Sequence, residues 1–472
     1  MVLRRIGLVA LAILIAAPLS TRAADDKPNI VFFMLDEWGY YEWSHMGHPV
    51  FETPNFDTFA EEGTRFTQML AGGSVCAPTR CSLLTGKHGG HITVRANGGA
   101  SAIRRDEKTL ASFLKDEGYT CGGFGKWGIG ARGTSGVPEL HGFDTFFGYY
   151  HQAHAHTYYP AYLLKNSEPI PLPGNTDHFH NGRIFSQSLI HGQAMQFIRD
   201  NEDGPFFAYL PYILPHGQWA MPENDPAYQK YKDRDFGGTN QKGEKDQQIY
   251  AAMIELADRQ LGEIMALLKE LGIDDNTIVM ISGDNGGQAY FKNENHPDGV
   301  FRPNVNPKTG VRFRGGKGQF YEGGLRVPFV ARWPGKIPAG IISNHLCYFP
   351  DILPTLIELT GGFPPRDLDG ISIVPSLLGG EAAGRDQPEH EFLYWEMNDQ
   401  RAIRKDHWKA VKPSHDQPWE LYDLRTDLSE ENDISKDRSN ILLELISNAD
   451  SAHDPIRPGT IYDPDLAFKK SR

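Results

Sequence analysis

The stretch Asn29-Ile30-Val31-Phe32-Phe33-Met34-Leu35-Asp36-Glu37 decides the fold class. Six apolar residues follow one another in it without a polar break, which is typical of a strand buried on both faces. Two carboxylates come directly after the strand. A second stretch, Thr277–Ser282, has the same form and runs into Gly283-Asp284-Asn285-Gly286. We therefore expect two buried strands that each end in acidic residues.

Helical patterns alternate with these strands. Thr53-Pro54 predicts a helix start, and the helix should run to Glu62. The longest predicted helix covers Asp246–Leu271, where apolar residues recur at steps of three and four. Leu325–Trp333 is a further predicted strand, followed by a helix over Asp351–Leu359. This alternation predicts an α/β fold with a large, mostly parallel sheet sandwiched by helices.

The pattern changes after Pro364-Pro365, where aromatic-rich strands and turns replace the helices. The predicted strands are Phe392–Met397, Ala402–Val411 and Trp419–Leu424. They indicate a smaller antiparallel sheet, so we place a boundary near residues 365–385. We expect residues 25–370 to form a catalytic domain and residues 371–472 to form a C-terminal α+β subdomain.

The composition narrows the possible functions. The chain has 472 residues and a formal net charge of -13. A general polyanion binder needs a basic face, so nucleic acid is not an expected partner. A local pocket can nevertheless bind a small anion. The four cysteines are few for a disulfide-stapled protein, and their spacing does not indicate zinc.

The N-terminus has the layout of a signal peptide. Arg4 and Arg5 precede an apolar run over Ile6–Ala17, and small residues suit cleavage near Ala23 and Ala24. The alternative is a membrane anchor, but the run is short for a membrane span. We expect residues 1–24 to be removed, no stable membrane anchor, and a periplasmic or secreted protein.

The acidic clusters indicate a metal site. Asp36-Glu37 and Asp284-Asn285 follow two predicted strands, and ligands of open α/β sheets bind beyond the carboxyl ends of strands. Carboxylate and amide oxygens suit Ca²⁺ or Mg²⁺. The alternative is that Asp-Asn-Gly is only a turn and Asp-Glu only a solvated loop start.

The segment Cys76-Ala77-Pro78-Thr79-Arg80 places a cysteine just before a predicted helix start, where free N–H groups favour anions. The alternative is a buried structural cysteine. Together with Leu83-Leu84-Thr85-Gly86, however, the segment resembles the Cys-x-Pro-x-Arg signature of the formylglycine-dependent, arylsulfatase-like sulfatases of the alkaline phosphatase superfamily. In that family a formylglycine-generating enzyme oxidises the cysteine to an aldehyde (3-oxoalanine), whose hydrated form attacks the sulfur of a sulfate ester.

Further motifs extend the resemblance along the chain. Gly125-Lys126-Trp127, the stretch from Phe206 to His216, Arg314–Lys317 and Leu421–Leu424 are all similar to family segments. The resemblance implies that Arg80, Lys126 and Lys317 hold the sulfate and the nucleophile, and that His216 or Lys317 protonates the departing alcohol. The implied metal ligands are Asp36, Glu37, Asp284, Asn285 and residue 76.

Two positions depart from the family pattern. Glu37 stands where Asp is usual, which favours Ca²⁺ over the geometrically stricter Mg²⁺. Gly128 replaces a histidine that the family places beside the formylglycine. We expect His154 or His156 to fill that place and contact substrate; the alternative is that both are structural.

The resemblance implies a sulfuric ester hydrolase, and a sulfated carbohydrate is the expected substrate. The alternatives are a phosphomonoester or phosphonate hydrolase of the same superfamily, and a non-catalytic homologue that binds sulfated glycans. Aromatic residues that could stack on sugar rings, or simply pack, are Tyr158, Tyr159, Trp219 and Tyr290.

Overall fold

The computed structural model describes residues 27–98, 102–176, 182–459 and 461–462. The predicted signal peptide, residues 1–24, lies outside the described residues. In chain order the strands are β1 Asn29–Leu35, β2 Thr64–Leu70, β3 Thr120–Lys126, β4 Thr145–Tyr149, β5 Tyr162–Lys165, β6 Glu168–Pro171, β7 Phe206–Tyr212, β8 Thr277–Gly283, β9 Phe329–Arg332, β10 Ile341–Tyr348, β11 Leu393–Met397, β12 Gln400–Lys405, β13 Trp408–Lys412 and β14 Glu420–Asp423. The α-helices are α1 Pro54–Glu62, α2 Cys76–Thr85, α3 Leu110–Asp116, α4 Ser186–Asp200, α5 Pro226–Tyr231, α6 Asp246–Glu270, α7 Glu322–Leu325, α8 Ile352–Leu359, α9 Val374–Leu378, α10 Gly380–Ala383 and α11 Ser439–Ser451.

A large sheet forms the centre of the molecule. Its ten strands follow the order β10-β2-β9-β8-β1-β7-β3-β4-β5-β6. Strands β8, β1, β7, β3 and β4 are adjacent and all parallel. The predicted fold class, a large mostly parallel sheet with a smaller antiparallel one, is confirmed.

Helices cover both faces of this sheet, and β1 therefore buries side chains on both sides. Its alternate side chains belong to two separate hydrophobic cores, Val31, Phe33 and Leu35 in one and Ile30, Phe32 and Met34 in the other. Helices α1, α4 and α6 contribute to the first core, and α2, α3 and α8 to the second. The unbroken apolar run of β1 is therefore explained by its central position.

Two strand predictions are wrong in detail. Ala402–Val411 is not one strand but parts of β12 and β13, which pair antiparallel. The chain reverses at Asp406, which adopts a left-handed φ of 54° that a single extended strand does not contain. Within Leu325–Trp333 only β9 is a strand, and it runs antiparallel to β8. Leu325 instead ends the short helix α7.

The smaller sheet, β11-β12-β13-β14, packs between the large domain and α11. A buried cluster of charged side chains links this sheet to α7. Lys409 Nζ on β13 lies 3.0 Å from Glu322 Oε1 and 2.8 Å from Glu430 Oε1. Burial tends to raise the pKa of Glu322, but Lys409 and Arg326 outweigh it and the net shift is downward. Breaking such a buried cluster leaves an uncompensated charge.

The topology brings the functional segments to one edge. Strands β8, β1, β7 and β3 are neighbours that run in the same direction, so their carboxyl ends meet. Asp284, Asp36, Lys126 and the loop to His216 lie at or beyond these ends. Among the helices in the described ranges, none combines the length and apolar character required to cross a bilayer.

Candidate active site

Carboxylates from β1 and β8 meet at the centre of the site. Asp36, Glu37 and Asp284 are fully buried. Glu37 has a left-handed φ of 66°, and its backbone N–H donates to Asp284 Oδ1 at 3.0 Å. Asn285 is buried beside them, and its Oδ1 accepts no hydrogen bond from any residue that the structure describes. A buried acceptor without a partner is what a bound cation would satisfy.

Cys76 is the first residue of α2 and is fully buried. Its Sγ donates to Asp36 Oδ1 at 3.3 Å. Burial, followed by the negative charge of Asp36, raises the pKa of the Cys76 thiol. A thiol in this position stays protonated and is a poor nucleophile, because nucleophilicity belongs to the thiolate.

Two buried cations surround the thiol. Arg80 Nη2 donates to Asp284 Oδ2 at 2.8 Å and lies 3.4 Å from Asp36 Oδ2. Lys126, the last residue of β3, donates through Nζ to Asp36 Oδ2 at 2.6 Å. Burial lowers the pKa of Lys126, but Asp36, Cys76 and Asp284 together outweigh that effect and the net shift is upward. Both cations are therefore charged and held in place.

His216 and Lys317 close the other side of the site. His216 Nε2 lies 2.9 Å from Glu37 Oε1 and 3.2 Å from Lys317 Nζ, and Lys317 Nζ also contacts the Glu37 carboxylate. Burial lowers the pKa of both His216 and Lys317. A lysine whose pKa is lowered can give up a proton near neutral pH, whereas a histidine whose pKa is lowered is mostly neutral there.

The electrostatics favour a divalent cation among these oxygens. Burial and the neighbouring Asp36 raise the pKa of Asp284 to about 7. Burial also works to raise the pKa of Asp36, but Lys126, His216 and Arg80 hold it well below its usual range. Ligand atoms of Asp36, Glu37, Cys76 and His216 all lie within 4.8 Å of one another. The carboxylates of Asp36, Glu37 and Asp284 and the unpartnered amide oxygen of Asn285 are oxygen donors that fit a hard metal ion.

Comparison with known proteins identifies the family. The Sulfatase family model matches residues 28–362, and the model of the N-sulphoglucosamine sulphohydrolase C-terminal region matches residues 316–448. The chain belongs to the sulfatase family. It is a sulfuric ester hydrolase, and the family in general uses a metal ion and a formylglycine.

Relatives of this sulfatase align over most of its length. N-acetylgalactosamine-6-sulfatase of Canis lupus familiaris is 30% identical over 440 residues, covering 87% of this chain and 77% of the relative. The crystal structure of Ps i-CgsB in complex with k-i-k-neocarrahexaose has a TM-score of 0.74 at 24% identity, covering 93% and 96% of the two chains. A phosphonate monoester hydrolase of Agrobacterium radiobacter shares the fold, with a TM-score of 0.65 at 22% identity over 90% and 95% of the chains.

Gln152 lies against Gly128, the position at which the family resemblance led us to expect a histidine. A Cβ at Gly128 would lie 2.6 Å from Gln152 Nε2, and the φ of Gly128 is +80°. Gln152 Nε2 donates to the Gly128 carbonyl at 3.1 Å. Sequence reasoning missed Gln152, because no motif marks it and only the fold brings it to Gly128.

The two candidate histidines differ in position. The His156 ring stacks on His216 at 4.6 Å, and burial, followed by the charge of His216, lowers the pKa of His156 to about 3. His154 instead donates through Nε2 to the Tyr162 carbonyl at 3.0 Å and packs against the Tyr149 ring. His156 thus contacts a residue of the central cluster directly.

Tyr290, expected from the sequence as a residue that could stack on a sugar ring or simply pack, instead contacts the Glu37 carboxylate. Its Oη donates to Glu37 Oε2, and its ring packs edge-on against Trp219 at 4.9 Å. Tyr158 and Trp219 are each 1% exposed, so neither offers a free face to a sugar ring. The sequence signal for this contact was Glu37 itself. Its side chain is one methylene longer than the usual Asp, and a longer metal ligand needs a further group to orient it.

Proposed function

We propose that this sulfatase removes sulfate from a glycan by using a formylglycine formed from Cys76 and a Ca²⁺ ion. The proposal depends most on one observation: the buried Cys76 Sγ lies 3.3 Å from Asp36 Oδ1, among two cations and further carboxylates. The unmodified thiol has a raised pKa and is poorly suited to attack sulfur. A formylglycine-generating enzyme is the transient partner that this chemistry requires.

The proposed metal ligands are Asp36, Glu37, Asp284, Asn285 and the modified residue 76. All contribute oxygen, and the ligand set includes three carboxylates, which suits Ca²⁺ better than zinc or copper. Mg²⁺ is the less favoured alternative because it demands a stricter octahedron. When bound, the ion supplies positive charge that polarises an oxygen nucleophile and offsets the charge of the sulfate.

The chain's own residues supply the remaining chemistry. Arg80 and Lys126 hold the nucleophile and sulfate oxygens, and each such contact is worth about 10²–10³ in rate. His216 or Lys317, which lie 3.2 Å apart, delivers a proton to the departing alcohol, and the lowered pKa of the lysine favours Lys317. His156, stacked on His216, contacts substrate in place of the histidine missing at Gly128; His154 is the alternative, although its ring is engaged elsewhere.

The test uses protein co-expressed with a formylglycine-generating enzyme. We expect mass spectrometry of the tryptic peptide Phe66–Arg80 to show the aldehyde, and we expect turnover of p-nitrophenyl sulfate well above that of the matching phosphate and phosphonate esters. Cys76→Ala should abolish turnover, whereas Cys121→Ala, at another buried cysteine, should retain it. Full turnover by protein with an intact thiol at residue 76 would contradict the proposal.

The substrate, location and domain division are also proposed. A panel of N-acetylgalactosamine 6-sulfate, glucosamine 6-sulfate and a sulfated neocarrahexaose tests for a glycan substrate. The N-terminal pattern supports export of the protein to the periplasm or medium after removal of residues 1–24. Residues 25–370 are proposed as the catalytic domain, with residues 371–472 as the C-terminal subdomain.

A further inference from the structure

Glu42 carries a buried carboxyl group that the proposed chemistry does not use. The residue is 1% exposed, and no lysine, arginine or histidine of the described chain forms an ion pair with it. Burial raises its pKa to about 8, although hydrogen bonds from Tyr250 and Gly39 act to lower it. Burying a carboxyl group costs free energy that an apolar side chain of similar size does not. The reason for a glutamate here must therefore lie in the groups that it binds.

Glu42 closes the turn over residues 38–42, which directly follows the proposed metal ligand Glu37. Its Oε2 accepts from the Gly39 N–H at 2.8 Å, and its backbone N–H donates to the Gly39 carbonyl at 3.1 Å. The Glu42 carbonyl accepts from Trp38 Nε1 at 3.0 Å. Three hydrogen bonds that all involve Glu42 thus hold the turn together.

The other carboxyl oxygen joins this turn to the longest helix. Tyr250 Oη, on α6, donates to Glu42 Oε1 at 2.6 Å. Tyr250 is 1% exposed, and its ring stacks on Phe301 at 5.1 Å. Burial raises the pKa of Tyr250 well above its usual range, so the hydroxyl keeps its proton and can donate. The turn is therefore anchored to the first hydrophobic core through Glu42.

The same turn packs against the residues on either side of the second metal-ligand segment, Asp284-Asn285. A Cβ on Gly283 would lie 2.6 Å from the Trp38 carbonyl oxygen, and one on Gly287 would lie 2.7 Å from Gly39 Cα. Backbones this close leave no room for a side chain between them. Because protein interiors transmit such shifts, a displaced turn would also displace the segment that carries Asp284 and Asn285.

We propose that Glu42 is a positioning residue for the metal centre, which holds the turn over residues 38–42 and through it both metal-ligand segments. Glu37, next to the turn, has a left-handed φ of 66°. Such a backbone is unfavourable for a residue other than glycine and persists only where the surrounding structure fixes it. The inference rests on the Ca²⁺ ion of the proposed function, toward which Glu42 acts through the backbone and not as a ligand.

Calorimetric titration of chelator-treated protein that carries the formylglycine tests the proposal with Ca²⁺ itself. Glu42→Ala removes both carboxyl hydrogen bonds, so Kd for Ca²⁺ should rise at least about tenfold, as expected for loss of a group that orients metal ligands. Glu42→Gln keeps an acceptor for the Gly39 N–H and a donor for Tyr250 Oη, so its Kd should stay within about threefold of wild type. If Glu42→Ala does not fold, Tyr250→Phe decides: it loses only the hydroxyl and should raise Kd about three- to tenfold.

Asp258→Ala is the matched control. Asp258 is a second buried carboxyl group on α6, 3% exposed, and it accepts from the Phe56 N–H and from Asn55 Nδ2, both at 2.7 Å. Because these partners begin α1 and do not adjoin the metal ligands in the chain, the variant should lose thermal stability but keep Kd for Ca²⁺ within about twofold.

The outcomes separate positioning of the metal centre from general stabilisation. A Kd for Glu42→Ala within about twofold of wild type would overturn the inference. Equal weakening in Glu42→Ala and Asp258→Ala, or in Glu42→Ala and Glu42→Gln, would overturn it too. Wild-type protein that binds no Ca²⁺ would contradict the proposed metal, and this inference with it.

Discussion

Tyr290→Phe should weaken binding of the proposed Ca²⁺ ion without disturbing the fold. The substitution removes only the hydroxyl that donates to Glu37 Oε2. The ring contacts, edge-on to Trp219 at 4.9 Å and tilted against Phe291 at 5.9 Å, are available to phenylalanine as well. Burial raises the pKa of Tyr290, so the hydroxyl keeps its proton and acts as a donor.

The expected magnitude follows from the charge of the acceptor. A hydrogen bond to a charged group contributes about 1.5–3 kcal/mol. His216 and Lys317 also contact the Glu37 carboxylate and continue to orient it in the variant. We therefore take the lower end of the range, which corresponds to roughly tenfold weaker binding of the ion. Loss of groups that orient metal ligands costs about 10–100-fold in affinity, in agreement with this value.

Calorimetric titration of chelator-treated protein with Ca²⁺ measures the effect directly. The gain in thermal stability on adding a fixed excess of Ca²⁺ should shrink in the variant, by about 1.4 kcal/mol for a tenfold change in Kd. Tyr162→Phe, at a 39% exposed tyrosine on β5, is the matched control and should behave as wild type. A Kd for Tyr290→Phe within about twofold of wild type would refute this role of the hydroxyl.

Three further predictions concern other parts of the molecule. His156→Ala should lower kcat for p-nitrophenyl sulfate at least about tenfold, and His154→Ala less than about threefold; equal losses would contradict the assignment. Lys409→Met should lower the free energy of unfolding in urea by about 3–5 kcal/mol, because two buried carboxylates lose their partner. Lys412→Met, at the half-exposed end of the same strand, should change it by less than about 1 kcal/mol. Burial lowers the pKa of His48 to about 4, below the ordinary value of 6.5. The unfolded state therefore binds more protons between these pH values, and the free energy of unfolding should fall by up to about 3 kcal/mol as pH drops from 6.5 to 4. In His48→Gln the free energy of unfolding should depend less on pH over this range. An unchanged pH dependence would contradict the role of His48.

Local patterns were sufficient to predict the main elements of the fold. The run Asn29–Leu35 matches β1 residue for residue, and Pro54–Glu62 matches α1. Both depend on short-range signals, an unbroken apolar run and a proline after a capping residue, that act within a few residues. The hairpin at Asp406 was missed because its turn residues Asp406-His407 lack the usual Asn-Gly or Asp-Gly signal.

The amino-acid sequence alone identified the acidic strand ends, the Cys76 segment and the family, because these are contiguous motifs whose chemistry is evident from residue type. Only the tertiary structure distinguished His156 from His154 and placed Gln152 beside Gly128. These features depend on contacts between segments distant in the chain or on the direction of a single side chain. Neither is encoded in a local pattern; both are set when the strands align and the loops at their carboxyl ends pack together.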